Sequence, residues 1–139
     1  MNWFYWALLS AVFAGATAIL AKIGITGVNS DVATAIRTSV ILVFTWLLAI
    51  PALRETGLSG IGRRTWIFLV LSGLATGLSW ICYFRALQLG KASQVAPVDK
   101  LSVVFAIALA MIFLGERLSV REGIGAGLIV AGALVMAFR

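Results

Sequence analysis

ASQVAPVDKLSVVFAIALAMIFLGERLSVR, residues 92–121, joins an acid–base pair to an apolar run of membrane length. Asp99 and Lys100 stand side by side, two residues after Pro97, and the apolar run continues from them to Leu114. A charged side chain near the bilayer centre costs about 2.5–3.5 kcal/mol on insertion scales, so such residues usually face a bundle interior and mark a site. Partners for the pair have to come from elsewhere in the chain.

Composition identifies the surroundings. Of 139 residues, 62% are hydrophobic and 12% charged, and mean hydropathy is +1.08, whereas roughly a quarter of a soluble domain is charged. The expected fold class is therefore an all-α membrane protein with the lipid bilayer as its first partner. A net charge of +6 would suggest nucleic acid in a soluble protein, but here the basic residues fall mostly in short gaps between apolar runs. That placement fits topology-setting charge on an anionic lipid surface, with no nucleic-acid partner.

Several chemistries are excluded at once. The absence of histidine removes Ser-His-Asp and Cys-His sites, no Cys/His cluster is present to hold a metal, and the Gly-rich phosphate-loop pattern is missing. Cys82 is the single cysteine and lies inside an apolar run, so no intrachain disulfide forms. The acids Asp31, Glu55, Glu116 and Glu122 sit at helix ends or in loops, where caps and surface pairs explain them. No enzyme and no cofactor is expected.

Along the chain, one domain of residues 1–139 divides into helices at about 3–25, 32–50, 66–89, 94–114 and 120–138, each near the ~20 residues that cross a bilayer. Ala14-Gly15-Ala16 resembles a signal-peptidase site, but Met1-Asn2-Trp3 lacks a basic n-region and further spans follow. Ala7, Ala11, Gly15, Ala18 and Lys22 form a narrow small-residue face ending in an ammonium; Gly73 and Gly77, then Gly123, Gly127 and Ala131, form others. Asn29, Ser30 and Asp31 cap the second run, and Pro51 stops it. Arg54, Glu55, Arg63 and Arg64 belong to a glycine-containing basic loop. Pro97 either opens the fourth helix, which makes Asp99 a first-turn acid favoured by the dipole, or loosens a helix that starts near Gln94. Ser119 and Glu122 match a capping box at the head of the fifth run.

The turn at Gly90 to Ser93 is short, so the helices on either side are antiparallel neighbours. Counting outward from it places Arg85 and Asp99 at similar depth, and an ion pair between them is geometrically reasonable. An odd number of spans puts the chain ends on opposite sides. Arg54, Arg63, Arg64, Arg117 and Arg121 fall on the N-terminal side, against Lys22, Lys91 and Arg139 on the other, so the positive-inside rule places the N-terminus in the cytoplasm. The margin is narrow enough that insertion in both orientations stays open.

Ala86-Leu87-Gln88-Leu89-Gly90 and Ala92-Ser93, followed by Phe113-Leu114-Gly115-Glu116-Arg117-Leu118-Ser119 and a glycine-rich last helix, resemble the EamA family of the drug/metabolite transporter superfamily. The resemblance covers the chain as a single five-helix EamA-type repeat, most specifically at Leu-Gly-Glu-Arg. It implies a transporter in the cytoplasmic (inner) membrane. Longer family members carry two repeats in opposite orientation around a central cavity. Two features depart from the pattern: Val103 stands where many relatives have a mid-helix proline, and Pro97-Val98-Asp99-Lys100 looks particular to single-repeat members.

Lys22, Arg37, Arg85, Asp99 and Lys100 fall toward one membrane side, four positive charges and one negative. One reading has Lys22 snorkelling, Arg85 paired with Asp99, and Arg37 and Lys100 reaching the headgroups. On the other, these five residues bind substrate, their surplus positive charge attracting an anionic or zwitterionic metabolite. The expected function is a secondary transporter of a small polar metabolite. Five helices hold no inverted repeat, so two chains are expected to assemble, as an antiparallel homodimer or with a paired five-helix subunit. A lipid-linked flippase subunit and a non-transporting scaffold or regulatory subunit are the alternatives.

Overall fold

A computed structural model describes residues 2–58 and 60–138. Met1 and Arg139, which enter the leader and topology readings, lie outside the described residues. The elements are α1 (Trp3–Gly24), α2 (Ser30–Thr56), α3 (Arg63–Leu89), α4 (Ala92–Asp99), α5 (Ser102–Leu109), a π-helical turn (Ala110–Leu114) and α6 (Val120–Ala137). No strand occurs among the described residues, and the chain is an all-α membrane protein. Five segments are long and apolar enough to cross a bilayer: Trp3–Gly24, Ser30–Glu55, Arg63–Leu89, Ala92–Leu114 and Val120–Ala137. At ~1.5 Å per residue each matches a hydrocarbon core of roughly 30 Å.

Two compact units make up the chain, one running from Ile23 to Gln88 and the other combining α1 up to Lys22 with everything from Leu89 onward. In the first, Asn29 caps α2, its Oδ1 accepting from the N–H groups of Asp31 at 2.8 Å and Val32 at 3.4 Å. The helix starts two residues before the expected Val32 and does not stop at Pro51, continuing to Thr56. Proline withholds a single N–H, and membrane helices tolerate that loss because neighbouring groups re-satisfy the freed carbonyl. The stop comes instead at Gly57, where φ is 61° and the N–H returns to Leu53 O. Likewise α3 begins at Arg63 rather than Trp66, so Arg63 and Arg64 are helical, not loop residues, with Arg64 reaching over Phe68 one turn on at 5.8 Å.

The register of α2 on α3 is read from their contacts. Gln88 donates to Val28 O at 2.6 Å, Arg85 bonds Asp31, and Arg37 lies over Trp80 and Phe84. Numbers rise along α2 as they fall along α3, so the pair is antiparallel and the head of α2 meets the tail of α3. Thr34 is buried there, its hydroxyl donating back to Ser30 O at 2.8 Å.

In the second unit the fourth span is interrupted. It starts at Ala92, so Pro97 lies inside α4, which ends at Asp99. Of the two starts open in the sequence, the structure therefore takes the earlier one, and Asp99 is not a first-turn acid. Across the break the bonds tighten to the 3₁₀ type: Lys100 N–H to Pro97 O, Leu101 N–H to Val98 O, and Val103 N–H to Lys100 O, at 3.0–3.1 Å. Val103 thereby passes over the Asp99 carbonyl that a regular helix would give it. Beyond α5 the π turn closes at Gly115, which sits in the left-handed region with φ 68° and ψ 20°. The expected capping box at the head of α6 is present, Ser119 N–H donating to Glu122 Oε2 at 2.8 Å and Glu122 N–H to Ser119 Oγ at 3.3 Å. The closest packing in this unit is α4 against α6.

Gly115→Ala is expected to destabilise the chain by about 1 kcal/mol, the usual penalty for a Cβ in the left-handed region. A Cβ there would meet nothing within 4 Å, so the whole effect is conformational. A lowered midpoint in a denaturant titration of the detergent-solubilised chain checks this, and an unchanged midpoint contradicts it.

Candidate functional site

The five residues singled out in the sequence divide between the two units. Arg37 and Arg85 belong to Ile23–Gln88, and Lys22, Asp99 and Lys100 to the other unit.

Arg85, one turn before the end of α3, donates from Nη2 to both oxygens of Asp31, at 3.3 Å to Oδ1 and 3.0 Å to Oδ2. The partner of Arg85 is thus Asp31, not Asp99. Depth counted from the Gly90 turn considers only the helix that follows α3, whereas the antiparallel packing of α2 brings an acid from the preceding helix. The pair is open: the two side chains are 61% and 53% exposed, so either partner is accessible to a competing charge. Asp31 also lies in the first turn of α2, where the helix dipole favours a carboxylate.

Arg37 lies seven residues into α2, roughly 10 Å along its axis. Its guanidinium carbon is 4.4 Å from the Trp80 ring centroid and 5.5 Å from that of Phe84. Among the described residues no carboxylate pairs with it and no oxygen accepts a hydrogen bond from it. Phe84, 3% exposed, forms an apolar floor beside this charge. The aromatic partners were not legible beforehand. Trp80 and Phe84 are spaced i, i+4 on α3, a signal indistinguishable from ordinary lipid-facing apolar residues until the register of α2 is known.

In the second unit, Lys22 in the last turn of α1 donates from Nζ to Gly90 O at 2.8 Å, holding the carbonyl of the turn before α4. Asp99 ends α4 and is paired with its neighbour, Lys100 Nζ standing 3.5 Å from Oδ2. Both flank the helix break. The 3₁₀ bonds keep the backbone paired across this break, the carbonyls of Pro97, Val98 and Lys100 each accepting an N–H. Glu116 and Arg117 line a groove of about 420 Å³ with Val103, Ile107, Met111 and Glu122, so this motif is a helix end that also borders open space.

No group of three or more potential metal-binding side chains occurs among the described residues. In each unit the charged side chains are set in apolar spans.

Comparison with known proteins supplies the family. The sequence matches the EamA-like transporter family over residues 1–138. It is 51% identical over 136 residues to a Sinorhizobium sp protein named "Uncharacterized transporter in cobO 3'region", covering 98% of this chain and 96% of the relative. No solved structure matches it. A match across nearly the entire chain, over five apolar spans that carry charge at depth, leaves one assignment: the chain belongs to the EamA-like transporter family.

Proposed function

We propose that this chain is a secondary transporter of a small anionic or zwitterionic metabolite in the cytoplasmic membrane, working as an antiparallel homodimer of five-helix repeats. The observation that carries the reading is Arg37, a guanidinium two turns inside a membrane span with no carboxylate partner among the described residues. A charge at that position costs about 2.5–3.5 kcal/mol if it sits near the bilayer centre, and a scaffold gains nothing in return. The substrate site draws on Arg37 and the open Arg85–Asp31 pair at the α2 head and α3 tail. Lys22 has a structural task at Gly90.

Assembly is supported by glycines that packing within their own unit does not explain. A Cβ at Gly15, Gly73, Gly77 or Gly127 would meet nothing within 4 Å. Small residues in membrane helices allow close approach of another helix, and here that helix belongs to a second chain. Opposite orientation of the two copies supplies the inverted repeat that alternating access uses. The N-terminus is cytoplasmic in one copy and outside in the other.

Two reporters fused to the C-terminus, one active only in the cytoplasm and one only outside, test the assembly: both are expected to give signal in one strain. A signal from one reporter alone rules out the antiparallel homodimer. Transport itself is checked with proteoliposomes offered labelled amino acids, organic acids and phosphate esters. Arg37→Ala is expected to abolish whatever uptake the natural chain shows without lowering its insertion, and undiminished uptake would place the site elsewhere.

A further inference from the structure

Among the described residues, each charged residue expected at depth, with one exception, has an oxygen or a counter-charge. Lys22 has Gly90 O, Arg85 has Asp31, and Asp99 and Lys100 have each other. The exception is Arg37, whose neighbours are the rings of Trp80 and Phe84. A ring face attracts the positive charge but offers no acceptor oxygen, so the guanidinium N–H donors stay unsatisfied by the described residues. Unsatisfied donors are costly in a bilayer, and an acceptor from outside the chain relieves that cost.

From this geometry, and resting on the transport reading above, we infer that Arg37, held over Trp80 and Phe84, is the receptor for a carboxylate group of the substrate. Three features select a carboxylate. Guanidinium presents a planar fork that matches two carboxylate oxygens, which an ammonium does not. The charges at the α2 head and α3 tail, Asp31, Arg37 and Arg85, sum to a single positive charge, which one carboxylate neutralises and a phosphate dianion overshoots. The half-buried Trp80 ring lies 4.4 Å from the charge and is the apolar surface beside it, which suits the hydrocarbon part of an organic acid rather than an inorganic ion. Arg85 is already occupied by the exposed Asp31 carboxylate, so the structure itself shows a carboxylate accepted by an arginine of this helix pair.

The test uses the full chain in detergent with Trp3, Trp6, Trp46 and Trp66 changed to Phe, so that Trp80 alone fluoresces. Propionate, inorganic phosphate and tetramethylammonium are titrated separately at constant ionic strength in chloride. Propionate is expected to give a saturable change, with phosphate at least about tenfold weaker and tetramethylammonium silent. Arg37→Lys, which keeps the charge and loses the fork, is expected to weaken propionate by at least about tenfold, and Arg37→Gln to remove the response. Calorimetric titration of the chain with all five tryptophans repeats the comparison if the fourfold Phe variant folds poorly. Absence of a saturable propionate response, an equal response in Arg37→Gln, or phosphate binding as tightly as propionate would each overturn the inference. A chain that takes up solutes yet ignores propionate overturns this inference and leaves transport standing. A chain that binds propionate through Arg37 yet moves none of the offered solutes upholds the carboxylate receptor and overturns the transport reading.

Discussion

Arg85→Ala is expected to reach the membrane at the natural level and to lose at least about tenfold in initial uptake rate, while the exchanged pair Asp31→Arg/Arg85→Asp recovers part of that loss. The expectation follows from where the pair sits. Asp31 is in the first turn of α2 and Arg85 in the last turns of α3, and both side chains are more than half exposed. Insertion is little affected because the two residues lie near helix ends and are exposed. Transport is affected because Arg85→Ala removes one of the two cations at the α2 head and α3 tail and leaves the Asp31 carboxylate with Arg37 as the remaining cation there, so the locus no longer carries net positive charge. The exchange restores an ion pair with its polarity reversed, but it puts a cation at the positive end of α2 and an anion at the negative end of α3, both against the helix dipoles. Recovery is therefore incomplete. Uptake by proteoliposomes, normalised to reconstituted protein, measures each variant. Undiminished uptake in Arg85→Ala would make the pair a surface contact and no more.

Much of the fold was legible because lipid leaves few choices. A run of ~20 apolar residues bounded by charge has one regular solution in a bilayer, and all five spans appear where hydropathy puts them. Local capping chemistry was equally readable: Asn29 and the Ser119–Glu122 box act through atoms a few residues apart. The errors are all of another kind. Pro51 was expected to end α2, a rule drawn from helices in water, where a freed carbonyl and a frayed turn are readily hydrated. Arg85 was matched with Asp99 because counting residues from a turn gives depth and says nothing of azimuth around the helix. The face that a residue presents is set by packing of α2 on α3, and only that packing reveals Asp31 as the partner of Arg85, and Trp80 and Phe84 as the surroundings of Arg37. The interruption after Asp99 was legible only as one of two readings, that Pro97 loosens a helix already begun; its position at Lys100 and Leu101, which are not breaker residues, was not.

That interruption makes opposite demands on Asp99 for stability and for transport, and the two are separable by measurement. Asp99 is the last residue of α4 and Lys100 its C-cap. A carboxylate at the end of α4 faces the negative end of that helix's dipole, an arrangement that costs at most about 0.3–1 kcal/mol and is partly offset by the N-terminus of α5 at Ser102, while an ammonium there is favoured by a similar or smaller amount. The Lys100 contact of 3.5 Å is at the outer limit of a hydrogen bond and offsets little of the cost. Asp99→Asn is therefore expected to leave stability unchanged or raise it, and Lys100→Met to lower it. A residue that breaks a local rule without a compensating contact is placed where function tends to reside. On that reasoning Asp99→Asn also lowers uptake by at least about tenfold. Denaturant midpoints and uptake rates on the same preparations decide the matter. A loss of stability with undiminished uptake would show that Asp99 serves the fold, whereas unchanged or higher stability with lost uptake shows that the carboxylate at the break acts on the transported solute.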